Sequence, residues 1–312
     1  MTGDDLRVHA VVVNWNGGEA NLACLTSIEA QGLASERVVF VDNGSSDGSL
    51  ERVRAAHPAV NLIENGENLG FGAAANLGAR AALERGARAV FFVNNDVVLP
   101  EGVLPRLEEA LAERPRRAVV GPLILLGDRP ELVWSAGGTL TWRQNLSTLR
   151  GFEHHDGPRW RESMDVDYIV GCAMLVRGEA LEELGFFAVE YFAYMEDVDL
   201  CLRARRAGWE VHHVGDVSAL HTPSSATGGG YSPRRKYMNA VNSVAFLRRH
   251  GRAVHWLRFW FFDVASLPLV WAVAVFRGRG KAVLAKGWGL IDGLRGRAVT
   301  AARVQDGASW LW

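Results

Sequence analysis

The sequence predicts an α/β fold with a mainly parallel central sheet, followed by a helical C-terminal region. Three observations predict it. Short β-branched runs alternate with helical segments over the first part of the chain, which is the order of parallel strands and their crossover helices. Polar residues stand where successive strands should end. Residues 251–312 differ in charge and tryptophan content from everything before them.

The parallel part of the sheet is expected before residue 115. The runs VHAVVVN, RVVFVD, VNLIE and RAVFFVN predict strands at 8–14, 37–42, 60–64 and 88–94. Helical segments lie between and after them, at 18–31, 47–56, 73–86 and 103–113. Connections of this kind are right-handed. Later in the chain the pattern predicts a strand at 166–177, a helix at 196–208 and short strands at 209–214 and 217–221.

Composition places the chain among globular proteins. It has 312 residues, 48% hydrophobic and 22% charged, with a net charge of −1, so no nucleic-acid partner is expected. Its three cysteines, Cys24, Cys172 and Cys201, show no metal-ligand spacing and are expected as reduced core residues. The N-terminus has no apolar run typical of a signal peptide, which favours a cytoplasmic location.

Polar residues lie at the carboxyl ends of three predicted strands. Asn14, Asp42 and Asp96 all fall at carboxyl ends, where open α/β sheets bind ligands, so they are expected in one cleft. In FFVNNDVVLP, Asn94 and Asn95 precede Asp96 directly after an apolar strand, and such groups are costly to bury without partners. The alternative is a strand-to-turn transition in which these side chains satisfy backbone groups.

A glycine-rich stretch offers a competing interpretation. Residues 70–75 read GFGAAA and Asp96 follows near a strand end, which are the spacings of a dinucleotide-binding fingerprint. However, the glycines come after two complete βα units, and five residues separate them from their strand. The alanines are also what close helix–sheet packing requires. An NAD(P)-dependent oxidoreductase therefore stays open as an alternative function.

Six motifs occur in a recognisable order between Val8 and His250. They are VVVNWNG, VDNGSSDGS, NLGFGAAANLG, FFVNNDVVLP, YFAYMEDVDLCLRARRAGW and ALHTPSSAT. Together they resemble family 2 glycosyltransferases, in the rhamnosyltransferase-like branch. The resemblance implies a GT-A nucleotide-sugar-binding domain in residues 1–250, with residues 251–312 as a basic, tryptophan-rich helical appendage.

The resemblance implies a set of contacts with the donor nucleotide of a dTDP- or UDP-sugar. It assigns Asp42 to the pyrimidine base, with Asn14 beside it. The full set of implied donor-binding residues is Asn14, Asp42, Asn68, Gly70, Phe71, Asn76, Asn94 and Asn95. For Asp42 the alternative is a turn with a helix cap, because DNGSSDGS is rich in turn-forming residues.

The resemblance also implies a metal site and a catalytic base. Asp96 would hold a divalent cation, Mg²⁺ or Mn²⁺, as the one carboxylate in Asn94-Asn95-Asp96, and His221 would reach the metal or the diphosphate. Asp197 would be the general base, oriented by Glu196. The alternatives are structural: acidic residues are stabilised at any helix start by the macrodipole, and a lone histidine more often has a structural role.

The sequence departs from its relatives in two places. Residues 187–189 read Phe-Ala-Val where relatives often have Phe-Asp-Glu before an aromatic pair, which bears on acceptor contacts. Val241-Asn242 stands where many have Arg-Asn. The cation that would bind the leaving diphosphate there is then missing, and its substitutes in the chain are Arg234, Arg235 and Lys236.

The C-terminal region has the composition of a membrane-surface element. Residues 251–312 hold nine Lys/Arg against three Asp/Glu and six of the eleven tryptophans. Between residues 259 and 276 the only charge is Asp263, and Pro268 lies near the middle. A span needs about 20 apolar residues, and the Asp and Pro argue against crossing. We expect residues 252–281 to lie at an anionic membrane surface. The alternative is packing on the catalytic domain or within a homodimer.

The expected function is thus an inverting, metal-dependent glycosyltransferase. It would move a sugar, L-rhamnose from dTDP-rhamnose, to a hydroxyl of a glycan or lipid-linked glycan at the inner face of the cell membrane, in cell-wall or polysaccharide synthesis. Two alternatives stay open at this point: the oxidoreductase above, and a catalytically inactive glycan-binding module.

Overall fold

The β-branched runs of the first half build one large sheet. A computed structural model describes residues 6–222, 231–305 and 307–312. Within these residues the chain forms a ten-stranded mixed sheet, a separate two-stranded sheet, and helices that follow the strands and fill the C-terminal region. Of the ALHTPSSAT motif, the part from residue 223 onward lies outside the described residues, as do residues 1–5 of the N-terminus.

The elements are numbered in chain order. The strands are β1 Val8–Asn14, β2 Val38–Asp42, β3 Asn61–Glu64, β4 Ala89–Asn94, β5 Val97–Val98, β6 Arg117–Leu126, β7 Arg129–Ser135, β8 Gly138–Leu140, β9 Ser147–Leu149, β10 Met164–Asp165, β11 Ala173–Arg177 and β12 Glu210–His221. The helices are α1 Ala20–Glu29, α2 Ser49–Ala56, α3 Phe71–Glu84, α4 Val103–Ala112, α5 Gly178–Leu184, α6 Glu196–Arg206, α7 Pro233–His250, α8 Ala253–Phe259, α9 Leu267–Phe276, α10 Gly280–Leu294 and α11 Ala301–Val304.

The sheet has a parallel half and a mixed half. Its order is β10-β12-β6-β11-β4-β1-β2-β3, and the pairs among β4, β1, β2 and β3 are all parallel, as predicted. Beyond β4 the strand β11 is antiparallel to both of its neighbours, and β12 runs parallel to β6. The predicted α/β architecture with C-terminal helices is confirmed.

Two predicted strands have different bounds. Only Ala173–Arg177 of the segment 166–177 is a strand, because the Gly171 amide donates to the Asp197 carboxylate instead of to a neighbouring strand. The two short strands predicted at 209–221 form the single strand β12, whose pairing with β6 shifts register between Val214 and Ser218. At that bulge the Gly215 amide donates to the Ser163 hydroxyl.

The described residues fall into two compact units. The first comprises those within Met1–Thr139, Leu149–Ala188 and Asp197–Pro223, and contains the large sheet. The second comprises those within Leu140–Thr148, Val189–Glu196 and Ser224–Trp312, and contains helices α7 to α11. Helix α7 therefore belongs to the second unit. The division of the chain into functional regions at residue 251 stays a prediction.

Helices α7 and α10 approach each other closely inside the second unit. A Cβ built on Gly289 would lie 2.4 Å from the Tyr237 carbonyl oxygen and 2.8 Å from the Ala240 Cβ. A Cβ on Gly293 would lie 2.9 Å from the Val244 Cβ. The two glycines of α10 therefore let its backbone contact α7, which buries a core that includes Tyr237, Met238, Val241 and Ala285.

A pair of glycine substitutions tests this helix contact. Gly289→Ala is expected to lower the free energy of unfolding by about 1–3 kcal/mol, because the new methyl group overlaps backbone that cannot move cheaply. Gly287→Ala on the same helix is the control, since its Cβ would meet nothing within 4 Å. It should stabilise by about 0.5–1 kcal/mol through helix propensity. Denaturant unfolding of both variants measures the difference, and equal effects would contradict the packing.

The stretch from α8 to α9 is a nearly continuous helix with an apolar exterior. One turn of π-helix, Trp260–Ala265, joins the two. By length and composition Ala253–Phe276 could cross a membrane, and only 17% of its most apolar window is buried. Its exposed apolar side chains are Val254, Leu257, Trp260, Phe261, Leu269, Trp271, Val273, Val275 and Phe276, which we call the apolar face.

The two residues expected to interrupt this stretch do not interrupt the apolar face. The Asp263 side chain is 1% exposed, forms an ion pair with Lys286 on α10 and accepts a hydrogen bond from the Asn145 amide at 3.1 Å. The Asp263 carboxylate therefore lies inside the second unit, where Lys286 neutralises its charge. Pro268 lies in the first turn of α9, where proline is tolerated because that amide needs no helical partner.

Candidate functional site

The ends of β1 and β2 hold a buried polar network. Asn14 and Asp42 are directly paired in register, and the Asn14 amide donates to Asp42 Oδ1 at 2.8 Å. The same amide group donates to the Ser49 hydroxyl at 2.8 Å, while the Ser45 backbone amide donates to Asp42 Oδ2 at 3.0 Å. Asp42 is 3% exposed. Each of its oxygens keeps further acceptor capacity, so this carboxylate is fixed in place yet still able to accept a ligand N–H.

Asn43 organises the loop that leads to α3. Its side-chain amide donates to Asn68 Oδ1 at 2.9 Å and to the Gly70 carbonyl at 3.3 Å. Its side-chain oxygen accepts from Asn65 Nδ2 and from the Leu69 backbone amide. Asn68 Oδ1 also accepts from the Gly70 amide at 2.9 Å. The predicted donor contacts Asn68 and Gly70 are therefore positioned by a residue that sequence reasoning did not select.

The polar atoms of Asn76 hold a later loop. Its amide nitrogen donates to the Phe187 carbonyl at 2.9 Å, and its oxygen accepts from the Phe187 backbone amide at 3.0 Å. The Phe187 ring contacts the predicted donor residue Phe71 edge to face, with 6.0 Å between ring centroids. Asn76 thus anchors the segment 187–189, where the sequence departs from the family pattern. Its direct contact with a donor stays a prediction.

Asn95 lies under the end of the sheet. Its amide donates to Asn14 Oδ1 at 3.0 Å and to Asn21 Oδ1 at 3.1 Å. A Cβ on Gly17 would lie 1.9 Å from the Asn95 nitrogen and 2.6 Å from Asn14 Oδ1, so a larger residue there would displace these side chains. Asn95 therefore ties the FFVNNDVVLP motif to the end of β1. The neighbouring Asn94 is half-buried, and its backbone amide donates to the Cys172 carbonyl at 2.8 Å.

Asp96 and His221 are brought together by strand pairing. The short strand β5 pairs antiparallel with the end of β12, which sets His221 opposite Val97. The His221 Nε2 atom lies 3.2 Å from Asp96 Oδ1, and the side chains are 6% and 9% exposed. The Trp134 ring packs edge to face on the imidazole, with 4.5 Å between centroids. A carboxylate and an imidazole therefore stand in contact at the ends of β4 and β12.

This pair is chemically suited to a divalent cation. Carboxylate oxygen and imidazole nitrogen are both ligands for Mn²⁺-type ions, and ions of this class keep several waters or phosphate oxygens as further ligands. Among the described residues no group of three His, Cys, Asp or Glu side chains could hold a metal.

Asp197 is the second residue of α6, and its side chain points toward the loop before β11. Its Oδ2 accepts from the Gly171 backbone amide at 2.9 Å, and its Oδ1 accepts from the Val198 amide at 2.8 Å. Removal from water raises the pKa of the Asp197 carboxyl group above its ordinary value, against the opposing effect of these two amides. A carboxylate with a raised pKa and fixed orientation is suited to accept a proton.

Cys172 connects the two acidic positions. Its carbonyl receives the Asn94 amide, and the residue before it, Gly171, donates to Asp197. Burial raises the pKa of the Cys172 thiol well above its usual range, and the charges of Asp96 and Asp197 raise it further. Both carboxylates therefore lie near this residue. All three cysteines are free and buried, as predicted.

The other acidic residues at the start of α6 differ in their surroundings. Asp199 is fully buried and pairs with Arg203 one turn later at 2.6 Å, which is a structural role. Glu196 is 7% exposed. Its predicted role in orienting the base stays a prediction.

Sequence reasoning selected the strand-end residues and missed their supports. Asn43, Gly17, Asn21, Ser45 and Ser49 hold the selected residues in place. The available signal was their position: each lies within a few residues of a strand end in a glycine-, asparagine- or serine-rich stretch.

Comparison with known proteins identifies the fold and the chemistry of this arrangement. Residues 10–185 match glycosyl transferase family 2. An N-acetylglucosaminyl-diphospho-decaprenol L-rhamnosyltransferase of Mycobacterium tuberculosis is 33% identical over 223 residues, covering 63% of this chain and 70% of that protein. A low-salt glycan biosynthesis hexosyltransferase of Haloferax volcanii is 27% identical over 226 residues, covering 70% of this chain and 67% of that protein.

Two solved structures share the fold. A mannosyltransferase from Pyrobaculum calidifontis, solved with GDP-Man and Mn²⁺, has a TM-score of 0.58 and 18% identity, covering 92% of this chain and 87% of that one. GalNAc-T7, solved with UDP, GalNAc and Mn²⁺, also has a TM-score of 0.58, with 14% identity, covering 83% of this chain and 56% of that one. The GT-A architecture is therefore confirmed.

These matches exclude one of the functional classes left open by the sequence. The glycine-rich stretch 70–75 opens α3 well inside the region that matches the family, so the interpretation as an oxidoreductase is wrong. The protein is a glycosyltransferase with a GT-A fold. The chain belongs to glycosyl transferase family 2, in its rhamnosyltransferase-like branch.

Proposed function

We propose that the protein is an inverting, metal-dependent transferase that moves L-rhamnose from dTDP-rhamnose to a hydroxyl of a lipid-linked glycan. The contact between Asp96 and His221, in the same compact unit as Asp197 and the Asn14–Asp42 pair, carries the proposal. It supports a cation held beside a nucleotide site, with a base at a separate position. The Mycobacterium tuberculosis relative, named as an N-acetylglucosaminyl-diphospho-decaprenol L-rhamnosyltransferase, supports the donor and the acceptor class.

In this mechanism each residue has one task. Asp42 accepts the ring N–H of the pyrimidine, held ready by Asn14 and by the Ser45 amide. Asp197 accepts the proton of the acceptor hydroxyl as its oxygen bonds to the anomeric carbon. The bond from that carbon to the diphosphate oxygen breaks, its electron pair leaving with dTDP. Attack opposite the leaving group inverts the anomeric centre, so no enzyme nucleophile is needed.

Asp96 and His221 would hold Mg²⁺ or Mn²⁺ beside the diphosphate. A bound cation supplies Lewis-acid stabilisation of the negative charge that develops on the leaving group. The pairing of β5 with β12 fixes the two side chains relative to each other before any ion binds.

A donor panel tests this function. Purified protein is incubated with dTDP-rhamnose, UDP-GlcNAc, UDP-galactose or GDP-mannose, with Mn²⁺ and a GlcNAc-diphospho-prenyl acceptor, and released nucleoside diphosphate is measured. We expect release from dTDP-rhamnose, which ceases when the metal is chelated and returns when it is restored. Release only from another donor would replace rhamnose in the proposal. No transfer from any donor, with nucleotide binding intact, would favour an inactive glycan-binding module.

We also propose that the apolar face contacts a membrane. It presents large side chains to solvent, among them Leu269 at 72% and Phe276 at 92% exposure. Exposed cations flank it at Arg252, Arg258, Arg277, Arg279 and Lys281. Aromatic and aliphatic groups bordered by arginine suit the interface of an anionic bilayer, and the buried pairing of Asp263 removes the charge that would oppose insertion. A lipid-linked acceptor would be met there, at the inner face of the cell membrane.

Vesicle sedimentation tests the membrane contact. Full-length protein should sediment with phosphatidylglycerol vesicles at low salt, and Phe261→Asp with Leu269→Asp should reduce binding at least about tenfold, since burying one such side chain is worth about 1.5–3 kcal/mol. Phe152→Asp is the matched control, because Phe152 is also exposed, at 45%, but lies outside the apolar face. Failure of the unmodified protein to sediment would contradict the proposal, and concentration-dependent dimers would then favour a protein partner.

A further inference from the structure

The loop that precedes the catalytic helix has an unusual backbone. Phe192, Tyr194 and Met195 adopt left-handed conformations, with φ angles of 53°, 72° and 75°. Bulky residues rarely adopt this region, and each such residue persists only where its surroundings enforce it. The loop leads without interruption into Glu196 and Asp197, the first residues of α6. Whatever enforces its shape therefore acts on the chain directly before the predicted base.

One side chain in helix α7 supplies that enforcement. The Asn242 amide nitrogen lies 2.7 Å from the Tyr191 carbonyl oxygen, 2.7 Å from that of Ala193 and 2.9 Å from that of Tyr194. Asn242 is 0% exposed, so these contacts form away from competing water. Three carbonyl oxygens converge on this one amide group, and only a hydrogen-bond donor can satisfy them. The loop and α7 both belong to the second unit.

We infer that Asn242 is a positioning residue for the transfer reaction, acting by holding the loop 191–195 in the shape that presents Glu196 and Asp197. This inference rests on the proposed function of Asp197 as the base. Arg249 pairs with Glu190 at the other end of the loop and fixes where it begins. Asn242 then sets its middle and its exit. Val241, beside it, packs into the core of the second unit, so the contact with the loop carbonyls falls to the Asn242 amide.

The residue directly before Asn242 in the chain is Val241. The apolar neighbour is buried in a helix contact, whereas Asn242 has a demanding polar task. The asparagine therefore serves the loop before the base, independently of any cation that would bind the diphosphate.

Asn242→Asp tests the inference with little change in size. A carboxylate cannot donate to three carbonyls and would repel them, so the loop should open. We expect kcat for sugar transfer to fall about 10²-fold, the effect of a small misplacement of a catalytic group. The acid limb of the pH profile should also move toward lower pH, because Asp197 gains access to water. The dissociation constant of dTDP with Mn²⁺ should be unchanged. Asn239→Asp, one turn earlier on α7 and half-buried, is the control and should match the unmodified protein.

Hydrogen exchange gives a readout that does not depend on activity. Peptides covering residues 189–198 should exchange faster in Asn242→Asp than in Asn239→Asp. Faster exchange without any transfer activity in the unmodified protein would remove the proposed function and keep the structural role. Normal transfer, acid limb and exchange in Asn242→Asp would overturn the inference. If Asn242→Asp does not fold, Asn242→Ala is measured in its place, and loss of cooperative melting in both would also overturn it, because the residue would then serve stability alone.

Discussion

Replacing Asp197 by asparagine is expected to lower the turnover of sugar transfer by about 10²–10⁴-fold, the usual effect of losing a general base. Asparagine has nearly the same size and keeps an oxygen that can accept from the Gly171 and Val198 amides. It cannot take the proton of the acceptor hydroxyl. A sugar hydroxyl is a poor nucleophile until that proton begins to leave, so the chemical step should slow while the fold is retained.

The measurements for this variant separate chemistry from binding. The dissociation constant of dTDP-rhamnose with Mn²⁺ should change little, because the proposed donor contacts lie at the ends of β1, β2 and β4. Asp165→Asn is the control, since Asp165 is largely exposed and its one ion pair among the described residues is with His212. Near-normal turnover in Asp197→Asn would remove Asp197 from the mechanism and make Glu196 the next candidate.

The environment of Asp197 predicts a pH dependence. Its carboxyl pKa is raised by removal from water, so the group becomes protonated at a higher pH than an ordinary aspartate. A protonated carboxyl group cannot act as a base. The value of kcat/KM should therefore fall as pH is lowered through the raised pKa, with an acid limb above the ordinary aspartate range near 4. An acid limb of kcat/KM at or below the ordinary aspartate range would show that a group other than Asp197 titrates.

The sequence identified the parallel half of the sheet because local rules decide it. Apolar runs of β1, β2 and β4 alternate with helices, and every residue of β2 is buried as the pattern requires. The same rules failed for β6, all ten residues of which are buried. Gly121 and Pro122 stand in its middle, and these residues ordinarily argue against a strand. Here pairing with β11 and β12 outweighs that preference.

Residues of the candidate site could be selected from the sequence where the residue type itself indicates a function. They could not be selected where a side chain only forms hydrogen bonds that hold backbone in place. Asp96 was selected as the one carboxylate after β4, yet its contact with His221 depends on the pairing of β5 with β12, across more than a hundred residues. Asn76 was assigned to the donor from its motif, and the structure shows that its side-chain amide donates to the Phe187 carbonyl oxygen. Asn43 was not selected and Asn242 was given no role, because nothing in a sequence distinguishes an asparagine that holds a loop from one that faces water.

Replacing Asp96 by alanine is expected to abolish the contribution of Mn²⁺ to nucleotide binding. Asp96 provides the carboxylate of the proposed metal pair, and His221 alone, without that negatively charged ligand, would hold the ion poorly beside a charged diphosphate. Even partners outside the ligand sphere of a metal site change affinity by about 10–100-fold, so loss of a ligand should cost at least that. The affinity for dTDP should then become equal with and without Mn²⁺.

Asp42→Asn supplies the comparison that makes this result specific. Asp42 is proposed to contact the pyrimidine, so its variant should weaken dTDP binding by a similar factor in the presence and absence of Mn²⁺. Only Asp96→Ala should remove the difference between the two conditions, as measured by calorimetric titration. Thermal unfolding of each apo variant checks the fold; the backbone bond from the Thr222 amide to the Asp96 carbonyl remains available in the alanine variant. If Mn²⁺ still strengthens dTDP binding to Asp96→Ala by its original factor, the ion is held elsewhere and the pair formed with His221 is a structural contact.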